Sequence, residues 1–403
     1  MRMPTGHRTS GKVLLLKRAL YGLRQSPLLW QKELTKTLQA LGFQTVPHEP
    51  CILMKDGIII FFYVDDIVFG YRKEDTAKAQ DLALQLRQRY QLTGGKDLKW
   101  FLGIEVIRDR ARGLIWLSQT AYIDKIIGLA TSAPTLKAKV PMAMVELLPY
   151  DGRAEPQLTR TYQRKVGSIL YAAVITRPDV AFAISRLVRF NTNPGPQHLK
   201  AADQVLHYLF NTRKLALRLG GGDGFEVASD ASFADNSIDR RSSQAYTMKL
   251  FNGLVGWRAN KQDTVTTSTT EAELLALAQA TKEGLFISRL LTELSIRLDQ
   301  HYTTILCDNK QTIRLVTAEM ATLQTKLRHV DIHNHWLRQE VSRGTIRIDY
   351  TPSHSMTADG LTKALSFPLH QRFLEQVGVT DPTEPFENQA PLERIEPLTS
   401  LLR

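Results

Sequence analysis

The sequence is poor in cysteine and in long apolar runs, and each shortage excludes a class of protein. Only two cysteines occur among its 403 residues, Cys51 and Cys307, each within an apolar segment. This argues against a disulfide framework or a cysteine-based zinc site and predicts an intracellular, reducing compartment. The longest strongly apolar run, Ile58 to Val64, is too short to span a bilayer, and no charged-then-apolar signal opens the chain. We therefore expect a soluble protein with no membrane partner.

Acidic residues are also missing from the start of the chain. The first 32 residues contain no Asp or Glu, and the whole chain carries a net charge of +12. Such a charge favours a polyanionic partner, because Lys and Arg replace the counterions of a phosphate backbone, although a generally basic surface would give the same count. A hydrophobic content of 43% over this length predicts two or three globular units.

Two adjacent carboxylates, Asp65 and Asp66, interrupt the apolar stretch Ile58 to Gly70. The β-branched and aromatic residues on either side predict two strands joined by a tight turn. Both carboxylates would then share one exposed tip, where their repulsion is relieved by a cation. The alternative is an ordinary polar hairpin turn.

Periodicity predicts the elements around this hairpin. A helix is expected from about Leu28 to Leu41, opened by Pro27 and stopped by Gly42. Asp56-Gly57 predicts a further hairpin turn between strands at Cys51 to Met54 and Ile58 to Val64. An amphipathic helix follows at Glu74 to Tyr90. Residues 101–106 and 113–117 predict one more hairpin.

The pattern then changes twice along the chain. Four prolines punctuate residues 131–160 and indicate a linker, after which helices are expected at Tyr162 to Thr176, Asp179 to Phe190 and Gln197 to Phe210. Their basic side chains are candidates for lining a duplex groove, although solvated helix faces normally carry such residues; they are Arg186, Arg189, His198, Lys200 and His207. A glycine-rich hinge is predicted at residues 220–224.

A second set of carboxylates follows that hinge. Strands are predicted at Phe225 to Ser229, Ser243 to Leu250, Leu254 to Arg258, Thr303 to Cys307 and Thr345 to Tyr350. This order predicts an α/β sandwich with Asp230 and Asp308 at strand ends. A helix opening at Ser268 carries Glu271 and Glu273, a helix after Pro352-Ser353-His354 carries Asp359, and a short helical pattern follows at Leu369 to Val377. Acids meeting at one sheet edge suit two metal ions that activate water and stabilise the leaving oxygen of a phosphodiester.

Several motifs resemble copia-type retrotransposon reverse transcriptases and occur in that family's order. They are Tyr63-Val64-Asp65-Asp66, Leu20-Tyr21-Gly22-Leu23-Arg24-Gln25-Ser26-Pro27, Phe101 to Val106, Gly167 to Tyr171 and Thr176 to Ala181. The resemblance implies that Asp65 and Asp66 hold Mg²⁺ on a palm hairpin. It also implies that Arg24, Gln25, Ser26 and Pro27 help position an RNA template and the incoming deoxynucleoside triphosphate, and that the remainder of a Pol polyprotein is a partner if it is expressed.

Residues 225 to 365 resemble the ribonuclease H domain of the same elements, in which the acids follow the order Asp, Glu, Asp, Asp. The resemblance implies that Asp230, Glu273, Asp308 and Asp359 hold two Mg²⁺ or Mn²⁺ ions, that His354 handles a proton, and that the substrate is an RNA:DNA hybrid. Glu273 is preferred over Glu271 because it immediately precedes the apolar helical face. Lys261, followed by Gln262, also matches the family and is assigned to nucleic-acid binding. Gly360 replaces the family's frequent apolar residue and is expected to add flexibility.

The predicted fold class is therefore α+β and α/β: a partial polymerase palm with thumb or connection helices, followed by a ribonuclease-H-like mixed sheet. The expected divisions are a palm and thumb region at 1–130, a linker at 131–160, connection helices at 161–219, a hinge at 220–224, the ribonuclease-H-like domain at 225–365 and a partly disordered tail at 366–403.

The predicted function is reverse transcription coupled to ribonuclease H cleavage. The alternative is an inactive transposon remnant that only binds nucleic acid. An integrase-type strand transferase is disfavoured because that family places its glutamate last. A zinc site at His329, His333 and His335 is disfavoured because no third ligand type lies nearby.

The 403-residue chain alone is expected to synthesise little or no DNA. In the resembled family a third palm aspartate precedes the Leu20 to Pro27 box, and the acid-free first 32 residues cannot supply it. Primer extension on an RNA template measures this directly. Extension by the wild-type chain that is lost in Asp65→Asn would contradict the expectation.

Overall fold

The protein was analysed as a computed structural model that describes residues 6–7, 11, 13, 15, 19–20, 22–95, 97–318, 325 and 327–383. The described residues fall into two compact units. The first contains residues up to Leu98 together with Arg289–Arg297, and the second contains Lys99–Ser288 and the residues from Leu298 onward. Most of the basic start, Tyr21 and the end of the predicted tail lie outside the described residues. Among the described helices, none is long and apolar enough to cross a membrane.

The first unit packs two helices on a four-stranded antiparallel sheet. Its elements are α1 (Ser26–Ala40), β1 (Gln44–Val46), β2 (Glu49–Lys55), β3 (Ile58–Tyr63), β4 (Asp66–Gly70) and α2 (Thr76–Arg89). The strands lie in sequence order, so each neighbouring pair is joined by a short connection. Asp56 and Gly57 both adopt positive φ, +48° and +80°, as a two-residue hairpin turn requires. Both predicted helices and the two predicted hairpins are confirmed, whereas β1 was not predicted.

The core of the first unit joins the apolar stripes of the two helices to one face of the sheet. Leu34 and Leu38 from α1 and Leu82 and Leu86 from α2 are buried together with strand residues such as Ile60. Alternation along β3 places Ile58, Ile60 and Phe62 inside. This alternation leaves the tip of the β3–β4 hairpin outside the core.

The second unit contains a five-stranded sheet built from distant parts of the chain. Its members are β5 (Trp100–Phe101), β6 (Ile104–Asp109), β7 (Leu114–Ser118), β8 (Ala216–Leu219) and β14 (Val379–Thr380), in the order β14-β8-β7-β6-β5. The β6–β7 hairpin is confirmed. Its pairing with β8 and β14 was not predicted, because these strands are too short to show periodicity.

Four helices continue the second unit: α3 (Thr120–Ile126), α4 (Pro156–Ile175), α5 (Ala181–Leu187) and α6 (Pro196–Asn211). Helices α4, α5 and α6 correspond to the three predicted helical stretches, with α5 flanked by 3-10 turns, whereas α3 was not predicted. His198 and His207 are buried, and their Nε2 atoms contact the carbonyl oxygens of Leu148 and Ser132. The prediction that these two histidines line a duplex groove is therefore wrong.

The remainder of the second unit forms a mixed sheet covered by helices. Its elements are β9 (Phe225–Ser232), β10 (Ser243–Leu250), β11 (Gly253–Lys261), α7 (Thr269–Glu293), β12 (Thr303–Cys307), α8 (Lys310–Thr317), α9 (Arg328–Ser342), β13 (Ile346–Tyr350) and α10 (Phe367–Val377). The sheet order is β11-β10-β9-β12-β13. Strands β9 to β11 are antiparallel, whereas β12 runs parallel to both β9 and β13. The predicted mixed α/β sheet is confirmed.

Two local predictions in this sheet are corrected. Asp230 lies inside β9 rather than at its end, because pairing with β10 continues to Ser232. Asp359 lies in a short 3-10 helix, Thr357–Leu361, and not in a longer α-helix. The helical pattern predicted at Leu369 to Val377 is observed as α10.

A buried polar network joins three helical regions of the second unit. Arg177, between α4 and α5, makes two hydrogen bonds of 2.9 and 2.7 Å to Asp179. Tyr208 of α6 donates to Asp179 at 2.6 Å and lies 2.8 Å from Nε2 of His370 on α10. These side chains are buried, so removing one partner would leave an uncompensated charge or donor in the core. The network thereby holds α10 against the helices.

Candidate active site

The paired aspartates Asp65 and Asp66 lie at the exposed tip of the β3–β4 hairpin. Val64 in this turn has φ +51°, an unfavourable backbone conformation for a β-branched residue. Its carbonyl oxygen accepts a hydrogen bond from Nε1 of Trp30 on α1. The turn is thus anchored to the helix that begins at Ser26. Among the described residues, these two aspartates are not joined by a third acid to form a metal-binding group.

The predicted nucleotide-positioning residues surround the start of α1. Arg24, Gln25 and Pro27 are exposed, and Gln25 occupies the N-cap position without a side-chain cap. Ser26 donates to the carbonyl oxygen of Leu20 at 2.5 Å. Pro27 lies in the first turn, where the missing N–H leaves no helical bond unmade. This arrangement leaves Arg24 and Gln25 accessible to a ligand.

Three carboxylates from separate elements meet in the mixed sheet of the second unit. Asp230 projects from β9, Glu273 from the first turns of α7 and Asp308 from the residue after β12. One oxygen of each lies within 4.8 Å of the others. Strand β9 pairs with β12 only as far as Ala228 and Leu306, and the two strands are unpaired beyond that point. The backbone N–H of Ala231, which lies beyond it, donates a hydrogen bond to Glu273. The fold therefore brings together acids that are 35 or more residues apart in the chain.

Burial and mutual repulsion raise the pKa values of two of these acids. Asp230 and Glu273 are only 5% and 7% exposed. Burial raises the pKa of Asp230 to about 7, and the carboxylates of Asp359 and Asp308 add to the rise. Burial and the charges of Asp230 and Asp308 raise the pKa of Glu273 to about 9. A cation between these groups would relieve both effects.

The structure distinguishes Glu273 from Glu271. Glu271 reaches back to the start of α7, where its carboxylate accepts hydrogen bonds from the backbone N–H and the hydroxyl of Thr267 and from the hydroxyl of Thr325. Burial opposes ionisation of Glu271, but these donors outweigh it and lower its pKa. Glu273 instead keeps a buried oxygen, Oε2, without a hydrogen-bond partner. Glu273 is therefore the one available to a metal ion.

Asp359 lies near this group but outside it. Its Oδ1 atom is 2.5 Å from Nζ of Lys363, an ion pair that partly neutralises the fourth acid. Thr362 in the same segment donates to Oδ2 of Asp230 at 2.6 Å. Thr362 and Lys363 thus orient two of the predicted ligands. The sequence motifs assign a role to neither residue, although both lie within four residues of Asp359.

His354 is exposed in a 3-10 turn, Ser353–Ser355. The preceding residue, Ser353, donates to Oδ2 of Asp308 at 2.5 Å, so the turn that carries His354 is tied to the carboxylate group. Lys261 ends β11 and forms an ion pair of 2.6 Å with Asp239. Its ammonium group is thus engaged with an acid of the loop after β9.

Gly360 has a packing role rather than the predicted flexibility. A Cβ atom at this position would lie 2.4 to 2.6 Å from ring atoms of Phe373, which is buried on α10. Such a distance is well inside van der Waals contact, so only glycine lets the ring approach. Packing against Phe373 thereby fixes the position of the turn that carries Asp359.

The chemistry of the carboxylate group fits a hard divalent cation. Carboxylate oxygens are the ligands that Mg²⁺ and Mn²⁺ prefer, and an unpartnered buried oxygen on Glu273 otherwise carries a desolvation penalty. Asp230, Glu273 and Asp308 would hold such an ion, with Asp359 beside them. Among the described residues this is the one group of three or more potential ligands close enough to do so.

Comparison with known proteins gives the family of the chain. The reverse transcriptase (RNA-dependent DNA polymerase) family matches residues 1–144. The chain is 29% identical over 395 residues to the retrovirus-related Pol polyprotein from transposon TNT 1-94 of Nicotiana tabacum, covering 94% of this chain and 29% of that protein. It is 30% identical over 274 residues to a putative transposon Ty5-1 protein of Saccharomyces cerevisiae, covering 66% of this chain and 87% of that protein.

Among solved structures, ribonuclease H1 from Halobacterium salinarum matches with 14% identity and a TM-score of 0.26, over 34% of this chain and 92% of that chain. The sheet described above, antiparallel through β9 and parallel beyond it, with the acids at its centre, is the mixed sheet predicted for a ribonuclease-H-like domain. The chain belongs to the family of retrovirus-related Pol polyproteins of copia-type transposons. It spans about three tenths of the length of the tobacco relative.

Divalent metal should stabilise the second unit more at high pH than at low pH. In the metal-free protein the raised pKa values mean that the folded state binds more protons than the unfolded state above about pH 4, so stability falls as pH rises toward 9. We expect Mg²⁺ or Mn²⁺, at a fixed concentration of ten times its Kd at pH 8.5, to raise the Tm by about 3–5 °C at pH 8.5 and by less at pH 6, where protons compete for the carboxylates and weaken metal binding.

The matched variants for this thermal-shift measurement are Glu273→Gln and Asp299→Asn, the second altering an exposed acid elsewhere in the unit. Glu273→Gln should raise the metal-free Tm at pH 8.5 and abolish most of the metal effect. Asp299→Asn should leave both unchanged. An equal metal effect at both pH values, or its retention in Glu273→Gln, would contradict the assignment.

Gly360→Ala should destabilise the protein by about 1–3 kcal/mol because its methyl group overlaps the Phe373 ring. Combining it with Phe373→Leu should recover about 1 kcal/mol relative to the sum of the single changes, since the smaller side chain makes room. Urea unfolding measures all three variants. The control is Gly167→Ala at an exposed position of α4, where no atom lies within 4 Å of the added methyl group. This change should be neutral or slightly stabilising. Strict additivity would argue against the contact.

Proposed function

We propose that the second unit hydrolyses the RNA strand of RNA:DNA hybrids with two bound Mg²⁺ or Mn²⁺ ions. The observation that carries this proposal is the convergence of Asp230, Glu273 and Asp308, whose oxygens lie within 4.8 Å of one another. Two such ions, when bound, polarise the scissile phosphate, activate water and stabilise the departing oxygen. Membership of the Pol family favours a nucleic-acid substrate, and the net charge of +12 suits it.

The residues of the site have separate roles in this hydrolysis. Asp230, Glu273 and Asp308 would hold the metal ions, and Asp359, now paired with Lys363, would complete the set if that ion pair opened. Thr362 keeps the Asp230 carboxylate in one orientation through its 2.6 Å hydrogen bond. His354, exposed in the turn that Ser353 ties to Asp308, exchanges a proton with solvent during turnover.

For the first unit we propose the palm role of a reverse transcriptase. Asp65 and Asp66 would hold Mg²⁺ with a deoxynucleoside triphosphate, and Arg24 to Pro27 would help position the nucleotide on an RNA template. The exposed hairpin tip and the match of residues 1–144 to the polymerase family support this role. The remainder of the Pol polyprotein would supply the other parts of that site.

The test of the nuclease is cleavage of a labelled RNA:DNA hybrid. With Mg²⁺ the wild-type protein should shorten the RNA strand, and Asp308→Asn should lower the rate by at least a hundredfold because a metal ligand is lost. Asp299→Asn is the control for removal of one exposed negative charge and should cleave normally.

An inert wild-type protein that still binds the hybrid would favour the alternative function, a remnant that only binds nucleic acid. Cleavage that Asp308→Asn leaves intact would show that the carboxylate group is not the active site.

A further inference from the structure

A cavity of about 240 Å³ adjoins the carboxylate group of the second unit. Its walls come from the extended segment 142–147, from α5 and the turn after it, from the end of β9 and the loop that follows it, and from the segment that follows Asp359. Two of its lining residues, Thr362 and Lys363, are those that contact Asp230 and Asp359. The cavity and the carboxylate group therefore share a wall.

Two arginines of the connection helices, Arg186 and Arg189, line this cavity, and their partners differ. Arg186 forms an ion pair with Asp235. Arg189 makes a hydrogen bond of 3.4 Å from its NH2 group to the hydroxyl of Ser243, while its buried Nε has no partner. A guanidinium carries five N–H donors, so most of the donor capacity of Arg189 is unused.

Two acids, Glu146 and Asp235, also line the cavity, and both are hydrogen-bonded to other groups. Glu146 accepts hydrogen bonds from the backbone N–H and hydroxyl of Ser237. Asp235 accepts from Arg186 and from the backbone N–H and hydroxyl of Ser243. Burial, together with the adjacent charge of Arg186, lowers the pKa of Arg189 to about 10, although Asp235, Asp239 and Glu146 partly offset these effects. The cation at Arg189 thus lacks a closely bound counter-charge.

The size and lining of the cavity restrict its ligand. Its volume is below the about 300–1,000 Å³ typical of sites that enclose a whole small molecule. The rings of Phe182 and Phe190 form an apolar wall. The charged lining residues are three cations and two acids, which leaves a net positive charge: Arg186, Arg189, Lys363, Glu146 and Asp235. A phosphate with its attached sugar matches this combination, because guanidinium binds phosphate oxygens in pairs and the sugar ring packs on apolar surface.

We propose that this cavity binds a backbone phosphate of the nucleic-acid duplex near the scissile one, with Arg189 as its anchor. The inference rests on the proposed nuclease function and extends it, since the helices that precede the sheet then supply a substrate contact. Lys363 flanks the bound phosphate and can exchange its Asp359 partner for it, which frees that carboxylate for the metal site.

The experiment measures hybrid binding rather than cleavage. Fluorescence anisotropy with Ca²⁺ in place of Mg²⁺ gives the Kd of a labelled RNA:DNA hybrid over a series of salt concentrations. Arg189→Met should weaken binding roughly tenfold and reduce the slope of log K against log salt by about 1, as expected for one lost phosphate contact. Arg164→Met, which removes an exposed arginine of α4, should change neither.

A second measurement locates the contact. Replacing single phosphates of the hybrid by neutral methylphosphonates should weaken wild-type binding at one position near the cleavage site, and Arg189→Met should be insensitive at that same position. Arg189→Lys, which keeps the charge and most of the packing, should bind at intermediate strength. If Arg189→Met fails to fold, Arg189→Lys and the wild-type methylphosphonate series decide the question.

The two proposals fail in different ways. A wild-type protein that binds through Arg189 but does not cleave would refute the nuclease and leave this inference intact. A wild-type protein that cleaves, while Arg189→Met keeps its affinity, its salt slope and its methylphosphonate profile, would overturn this inference alone.

Discussion

Repulsion among buried carboxylates is the constraint around which the second unit is built. Asp230, Glu273 and Asp308 lie closer together than three unscreened negative charges tolerate, and two of them are almost fully removed from water. The backbone of β9, β12 and α7 keeps the three carboxylates close together despite this repulsion. Part of the folding free energy contributed by the sheet and its apolar cover is therefore offset at this site, and a bound cation would recover it.

The surrounding structure limits this cost and orients the acids. Thr362 donates to Asp230, Ser353 donates to Asp308, and Lys363 pairs with Asp359. The segment that carries Asp359, Thr362 and Lys363 packs against the ring of Phe373. This ring occupies the space that a Cβ atom at Gly360 would need. Helix α10 is held in turn by the buried contact between His370 and Tyr208. A continuous set of contacts thus runs from the α6 helix to the fourth acid.

Sequence patterns predicted elements wherever the pattern was long or local. Strands β10 and β12 have the predicted bounds, because their apolar runs are bounded by polar or turn residues. The hairpin at Asp56-Gly57 follows from turn chemistry alone. Strands of two to four residues, such as β5 and β8, were missed because they show no periodicity and depend on partners distant in the chain. The short 3-10 turn around Asp359 was mistaken for a longer helix for a similar reason.

The same contrast between local patterns and contacts distant in the chain applies to the candidate site. Which acids are available, their order and the family of the chain all follow from local motifs, which need no knowledge of contacts. The folded structure was needed to distinguish Glu273, which faces Asp230, from Glu271, since both lie in the first turns of one helix and differ in the direction of the side chain. It likewise decided that Gly360 accommodates a ring and that Arg189 borders a cavity beside the acids. Such facts depend on distances between remote residues, which one-dimensional patterns do not contain.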